Sequence, residues 1–280
     1  MKSLSSAKNT LIRLFLGRRA AMIGTALILG LLSVVFLGSL LWPYSPYQKT
    51  ELLYSPPSFA HPFGTDFLGQ DIFSEFVWGA YPSLFIAAFA ALGSTLLGLG
   101  VGLVAGYFTR WEGVLTGASD VFLTFPPLPL LILVGILFSS YTLIAMAMMV
   151  VLWPPIARAI RSQVMSVKAR AYVEAARTSG SSDASIIKNI MIPAVASITF
   201  AYFVLNVAIS IVFVTGLEYF GVGDPNIVSW GSMFYWAQQF AFYSGSWWWI
   251  VAPGAGVTLF VGALALIGFS FEDVTNPRLR

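Results

Sequence analysis

Six stretches of this chain run without one charged side chain: Met22–Trp42, Leu84–Tyr107, Val121–Phe138, Tyr141–Ile156, Ala194–Leu217 and Trp248–Phe271. The hydrocarbon core of a bilayer takes about 20 apolar residues as a helix, and a helix satisfies its backbone without water. The chain therefore reads as an all-α polytopic membrane protein with six transmembrane helices. Composition agrees, because 58% of the 280 residues are hydrophobic and only 10% charged, against roughly 25% charged in a soluble domain. The third and fourth runs are separated only by Ser139-Ser140, where a tight hairpin is expected. Arg18-Arg19 precede the first run as they would a signal peptide. That run is too long for an h-region and no small-residue cleavage site follows, so it reads as a retained anchor.

Several function classes fall away at once. The chain has no cysteine, which excludes disulfides, zinc-thiolate sites, iron–sulfur clusters and cysteine nucleophiles. A single histidine, His61, excludes any site needing two imidazoles, and its place beside Pro62 suits a turn residue better than a catalyst. The net charge of +3 would favour nucleic acid only if it gathered on one solvated surface. It sorts by membrane side instead, so no nucleic acid partner is expected.

Fourteen of the 15 basic residues fall on one face of the six-span arrangement, and only Lys49 falls on the other. The positive-inside rule then places both termini in the cytoplasm. The acids divide evenly, with Glu51, Asp66, Asp71, Glu75, Glu218 and Asp224 outside, so the outer face is net acidic. Trp42, Tyr44, Trp78, Tyr81, Tyr107, Trp111, Tyr141 and Trp247-Trp248-Trp249 lie at span ends and read as an interfacial aromatic belt.

Between the spans, residues 1–21 form a cytoplasmic N-terminal segment and 272–280 a cytoplasmic tail. Residues 43–83 form an external loop, in which Thr65 or Asp66 can cap a short amphipathic helix bearing Leu68, Ile72 and Phe76 on one face. Residues 218–247 form a second external loop rich in glycine and aromatics. On the second span, Ala90, Ser94, Gly98, Gly102 and Gly106 recur at i+4 spacing, a stripe that lets another helix pack closely. The cytoplasmic segment 158–193 is predicted to hold two short helices about Gly180. A helix through Val173–Arg177 ends there in a left-handed turn, Ser181-Ser182-Asp183 cap the next, and Pro193 marks the start of the fifth span.

Glu174-Ala175-Ala176, Gly180 and Ile190-Met191-Ile192-Pro193 have the spacing of the EAA signature, and the segment resembles that of binding-protein-dependent ABC transporter permeases, with Ile192 in place of the usual Leu. HPFGTDFLGQD at 61–71, Asp120 with Phe125-Pro126, Trp153-Pro154 with Ala157-Arg158, Gly221-Val222-Gly223, Trp230-Gly231-Ser232-Met233 and Asn276-Pro277-Arg278-Leu279-Arg280 are similar to the dipeptide/oligopeptide/nickel group, second permease type. The resemblance runs from about residue 15 to the C-terminus. Gln70, Glu75 and Tyr81 stand where that group commonly carries Arg, making the outer face more acidic than its norm.

The resemblance implies a type I ABC importer permease in the plasma (inner) membrane, surrounded by membrane lipid. It implies a second homologous permease, two cytoplasmic ATPase subunits and an external solute-binding protein as partners. Glu174, Ala175, Ala176, Gly180, Ile190 and Pro193 would form the element that couples to the ATPase. ATP and Mg would be bound by the partner subunits, with no cofactor, metal or catalytic residue in this chain. Consistently, no Gly-x-x-x-x-Gly-Lys-[Ser/Thr] loop occurs. Asp66, Asp71, Glu75, Glu218 and Trp230 would belong to an outer gate or to a landing surface for the solute-binding protein, or would merely cap the spans.

A secondary transporter or channel is the alternative of another class. Ion-driven carriers place ionisable groups deep in the bilayer, whereas these six span interiors hold none, and Asp120 and Glu218 sit at span ends within reach of water. A membrane enzyme lacks support: there is no HExxH, no GxSxG and no clustered carboxylates. Peptides, oligosaccharides and nickel chelates stay open as substrates.

Overall fold

The computed structural model describes residues 18–138, 140–224 and 226–275. Most of the N-terminal segment, the Asn276–Arg280 motif and Ser139 of the expected hairpin lie outside them. Ten α-helices occur among the described residues: α1 Arg19–Leu41, α2 Ile72–Tyr107, α3 Thr109–Thr124, α4 Pro127–Phe138, α5 Tyr141–Lys168, α6 Ala171–Thr178, α7 Asp183–Ile186, α8 Ile192–Tyr219, α9 Trp230–Ser244 and α10 Trp247–Thr275. A π-turn at Ile187–Met191 joins α7 to α8 without a break. Five of the long helices are apolar enough to cross a membrane, and the α3–α4 pair makes a sixth crossing if taken together.

That pair departs from the expected third span at Val121–Phe138. Its two helices meet at 80°, and Phe125 is extended, with φ −82° and ψ 133°. Pro126 and Pro127 explain the break: each lacks an amide donor, and a proline disfavours helical geometry in the residue before it. Val121 consequently belongs to α3, which begins at Thr109.

The small-residue stripe of α2 packs along α5. A Cβ on Gly98 would stand 2.7 Å from Ile156 Cβ, on Gly102 2.8 Å from Ile160 Cβ, and on Gly106 2.8 Å from Val164 Cβ. The contact advances four residues on each helix at every step, so the two run parallel with their backbones in close approach. Van der Waals packing of this kind holds membrane helices together where lipid removes the hydrophobic drive. Asn206 of α8 adds a polar tie within the bundle, its Nδ2 donating to Ser94 Oγ at 2.6 Å.

Three buried clusters follow the bundle from end to end. One joins α1, α8, α9 and α10 to the first half of α2. A second lies among α2, α4, α5 and α8 around Leu131, Met148 and Leu217. The third, around Ile160, Val164, Ile186 and Met191, lies where α6 and α7 meet the bundle. Large apolar side chains such as Phe85, Leu40 and Leu137 stay exposed on the outside, as a lipid-facing surface requires. One end of the bundle, the basic end, carries Arg158, Arg161, Lys168 and Arg177, and the other, the acidic end, carries Asp66, Asp71 and Glu75.

At the acidic end the helices are longer than the uncharged runs. Helix α2 begins at Ile72 rather than Leu84, continues through Pro82, and at 36 residues spans about 54 Å, well beyond a bilayer core. Its N-cap is Asp71, which accepts from Ser74 N. Thr65 and Asp66 therefore cap nothing, Leu68 lies outside the helix, and the separate amphipathic helix is absent. Residues 64–71 form a tight turn instead, with Gly64 and Gly69 at φ +75° and +74°. In the second external segment, Trp230–Ser244 is helical, opened by a reciprocal Ser229–Ser232 capping box and closed by Gly245 in the left-handed region at φ 71°. The aromatic belt is only partly a belt: Trp78, Trp111 and Trp247 are exposed, whereas Tyr107 and Trp249 are buried.

Candidate functional site

The expected site residues separate into two groups at opposite ends. At the basic end, α5 runs past Ile156 to Lys168 and stops at Arg170, whose backbone is extended. Helix α6 follows, carrying Glu174 and Ala175 exposed, with Ala176 half-buried. Only Val173 is fully buried among its eight residues, so most of α6 stands clear of the bundle.

Gly180 turns the chain at φ +84°. Ser181 N donates to Ala176 O at 3.0 Å and Gly180 N to Arg177 O at 3.1 Å, the paired bonds of a Schellman ending, which satisfy the last carbonyls of α6. A Cβ on Gly180 would meet nothing within 4 Å, so the position needs glycine for its backbone conformation rather than for space. Ser182 then caps α7 by accepting from Ser185 N.

Both arms of this elbow are held by Tyr107, the last residue of α2. Its hydroxyl donates to Asp183 Oδ1 at 2.6 Å and accepts from Arg177 Nη2 at 3.2 Å. Its carbonyl accepts from Lys168 Nζ at 2.7 Å. Ile190, in the π-turn, is half-buried against the same apolar cluster as Ala176, and Pro193 is exposed in the first turn of α8. Glu174, Ala175, Ala176 and Gly180 thus share the projecting elbow, while Ile190 and Pro193 form its root. Two ion pairs, Arg158–Asp120 at 2.6 Å and Arg161–Glu112, tie α3 to α5 just beside it. The clamp on Tyr107 was missed in the sequence, where that residue reads as one more interfacial aromatic.

At the acidic end the expectation of surface charge is overturned. Asp66 and Asp71 are each 1% exposed, Glu75 6%, Glu218 5% and Trp230 0%. Local geometry explains how two of these acids are tolerated. Asp66 Oδ1 accepts from Leu68 N at 2.8 Å and Gln70 N at 2.7 Å. Burial nevertheless pushes its carboxyl up to about 6, opposed by those two amides and by the positive charge of Lys49. Asp71 accepts from Trp42 Nε1 at 2.9 Å and Ser74 N at 2.8 Å, and its Oδ1 lies 2.8 Å from His61 Nδ1. His61 is a turn residue as expected, its carbonyl accepting from Gly64 N.

The other three residues surround the start of α9. Trp230 Nε1 donates to Phe76 O at 2.9 Å and its backbone amide to Ser83 Oγ at 3.0 Å, and the indole stacks on the Phe76 ring at 5.4 Å. Glu218 does not reach water as a span-end acid would. It lies beside Gly231, and neither of its carboxylate oxygens has a hydrogen-bond partner. It lines a small cavity of about 100 Å³ with Tyr141 and Tyr235. Glu75 lines a larger one of about 450 Å³ together with Asp66. No solvent-facing acidic patch is built from these side chains. Among the described residues no cluster of His, Asp and Glu is placed to hold a metal ion.

Comparisons to known proteins give this membrane bundle a family. Residues 94–280 match the family described as binding-protein-dependent transport system inner membrane component. Residues 10–57 match the N-terminal transmembrane domain of oligopeptide transport permease C. A putative peptide transport system permease protein of Brucella suis is 30% identical over 96% of this chain and 91% of its own length. A putative peptide permease protein of the same organism is 31% identical over 94% of this chain and 89% of its own. The glutathione transport system permease protein GsiD of Pectobacterium atrosepticum is 29% identical over 100% of this chain and 94% of its own. The chain belongs to the family of inner-membrane components of binding-protein-dependent transport systems and is a multi-pass permease subunit of the ABC importer class.

Proposed function

We propose that this permease takes up peptides or similar small oligomeric solutes, delivered by an external solute-binding protein and driven by ATP hydrolysed on separate subunits. It pairs with a second, homologous permease, and each rests on a cytoplasmic ATPase subunit that binds ATP and Mg. The basic end faces the cytoplasm and the acidic end faces outward, as the sorting of Lys and Arg between the two ends implies. Peptides rank first among substrates because relatives across nearly the whole chain carry peptide and glutathione transport names.

The observation that carries the reading is the elbow. Helix α6 exposes Glu174 and Ala175 around a glycine turn while Tyr107 clamps both arms to the end of α2. An ATPase that grips α6 pulls directly on a membrane-spanning helix. The test is substrate-stimulated ATP hydrolysis by the assembled transporter. Gly180→Val forces a left-handed turn on a β-branched residue, at about 1–3 kcal/mol of local strain, and Glu174→Lys reverses an exposed charge. Both variants are expected to insert normally and to lose stimulation. Full stimulation in both would remove the elbow from the coupling path.

A further inference from the structure

The outer cavity at the acidic end lies between the loop 47–70 and the start of α9. Its volume is about 450 Å³, within the range of small-molecule sites. Tyr47, Lys49, Asp66, Gln70, Glu75 and Trp236 are among the residues that line it. Two of those are carboxylates more than nine-tenths buried, and Glu75 Oε2 has no hydrogen-bond partner. Asp71 stands nearby, but its oxygens are engaged by His61, Trp42 and Ser74. From α10, Trp249 faces Glu75 without a hydrogen bond of proper geometry to its indole nitrogen. The cation in the lining, Lys49, is itself exposed. The wall thus holds two carboxylates against one rim ammonium, and aromatic rings at Tyr47, Phe67 and Trp236.

We propose that this cavity is a binding site for an organic cation, a primary ammonium or guanidinium group carried by a small solute. A buried acid with no partner keeps its proton rather than carry an unpaired charge, and an entering cation lets it ionise by direct pairing. The exposed Tyr47 ring in the lining adds attraction for the same charge. The acids sit in the wall rather than on the rim, so the cation must enter the cavity. A small molecule does that, whereas a flat protein surface would meet Lys49 first. The assignment of this cation to a transported solute rests on the outward orientation proposed above.

Binding of benzylamine, which is protonated at neutral pH, and of its uncharged counterpart benzyl alcohol tests the site by ligand-observed NMR on the full-length protein in lipid nanodiscs. The amine is expected to bind about tenfold more tightly than the alcohol. Glu75→Gln should erase most of that preference. Lys49→Gln, at an exposed position, should tighten amine binding about threefold and leave the alcohol unchanged. Equal binding of the two probes by the unmodified protein would overturn the proposal. So would an unaltered preference in Lys49→Gln, which decides the matter if Glu75→Gln fails to fold. Neither ATP nor a binding protein enters this measurement, so its failure leaves the coupling role of the elbow standing, and loss of that role leaves the cavity standing.

Discussion

The two ends of this permease treat polar residues in opposite ways. The basic end displays them: Val173 is the one fully buried residue of α6, and Glu174 and Arg177 lie exposed. The acidic end hides them, with Asp66, Asp71, Glu75 and Glu218 packed among aromatic rings. A polar group left on a projecting helix is available to a partner that covers it. A carboxylate sealed in a wall responds only to what enters or to what opens the wall. The roles proposed above, protein docking at the first end and solute contact at the second, rest on that difference.

The sharpest way to break the comparison is to remove the large side chain most deeply packed at the acidic end. Trp230 is fully buried, donates to Phe76 O, stacks on the Phe76 ring and touches Gly256. Trp230→Ala should cost about 3–5 kcal/mol, read as a fall in the unfolding midpoint in detergent. Glu174→Ala, exposed on α6, should change the same midpoint by less than about 0.5 kcal/mol. Similar losses in the two variants would mean that the ends do not differ in the way described.

The second effect depends on pH. The Asp66 carboxyl is raised from its ordinary 3.8 to about 6, so the folded acidic end binds a proton more tightly than the unfolded chain does. That contribution is fully present below pH 3.8 and is lost as pH rises through about 6. Wild-type protein should therefore lose about 2–3 kcal/mol of stability from this group between pH 4 and pH 7, and Asp66→Asn, which keeps the acceptor for Leu68 and Gln70, should flatten that part of the curve. A curve of the same slope in Asp66→Asn would assign the effect to another group.

The contrast was only half legible in the sequence. Uncharged runs declare helices in a membrane because lipid forbids other choices, and Gly180 declares its turn because few other residues adopt positive φ. Burial of the acids left no comparable mark. Asp66 is satisfied by amides two and four residues on, a local pattern that the expected helix cap displaced. Asp71 is satisfied by Trp42, in another element, and by His61, and partnerships of that kind have no period. The rule that charges lie outside held for Glu174 and failed for Glu75, since the second lines a cavity with α9, a helix opened by a Ser229–Ser232 cap inside what reads as a loop. The break at Phe125-Pro126 was visible as a motif, and its double proline states the physical reason for two helices instead of one.

The smallest expected effect sharpens the other side of the comparison. Tyr107→Phe keeps the ring in the cluster with Ile160, Val164 and Met191 and removes only the hydroxyl. That hydroxyl donates to Asp183 and accepts from Arg177, so its loss frees both arms of the elbow at once. Lys168 still holds the Tyr107 carbonyl, and the fold should weaken by no more than about 1 kcal/mol. Val173 and Ile186 are the fully buried residues that remain to hold the elbow. Hydrogen exchange across residues 171–186 should quicken several-fold, while exchange in α9 at the opposite end stays as it was. Faster exchange at both ends would show that the clamp stabilises the bundle as a whole. Unchanged exchange in 171–186 would show that Val173 alone holds α6, and the elbow would then be a less direct lever on α2 than its hydrogen bonds suggest.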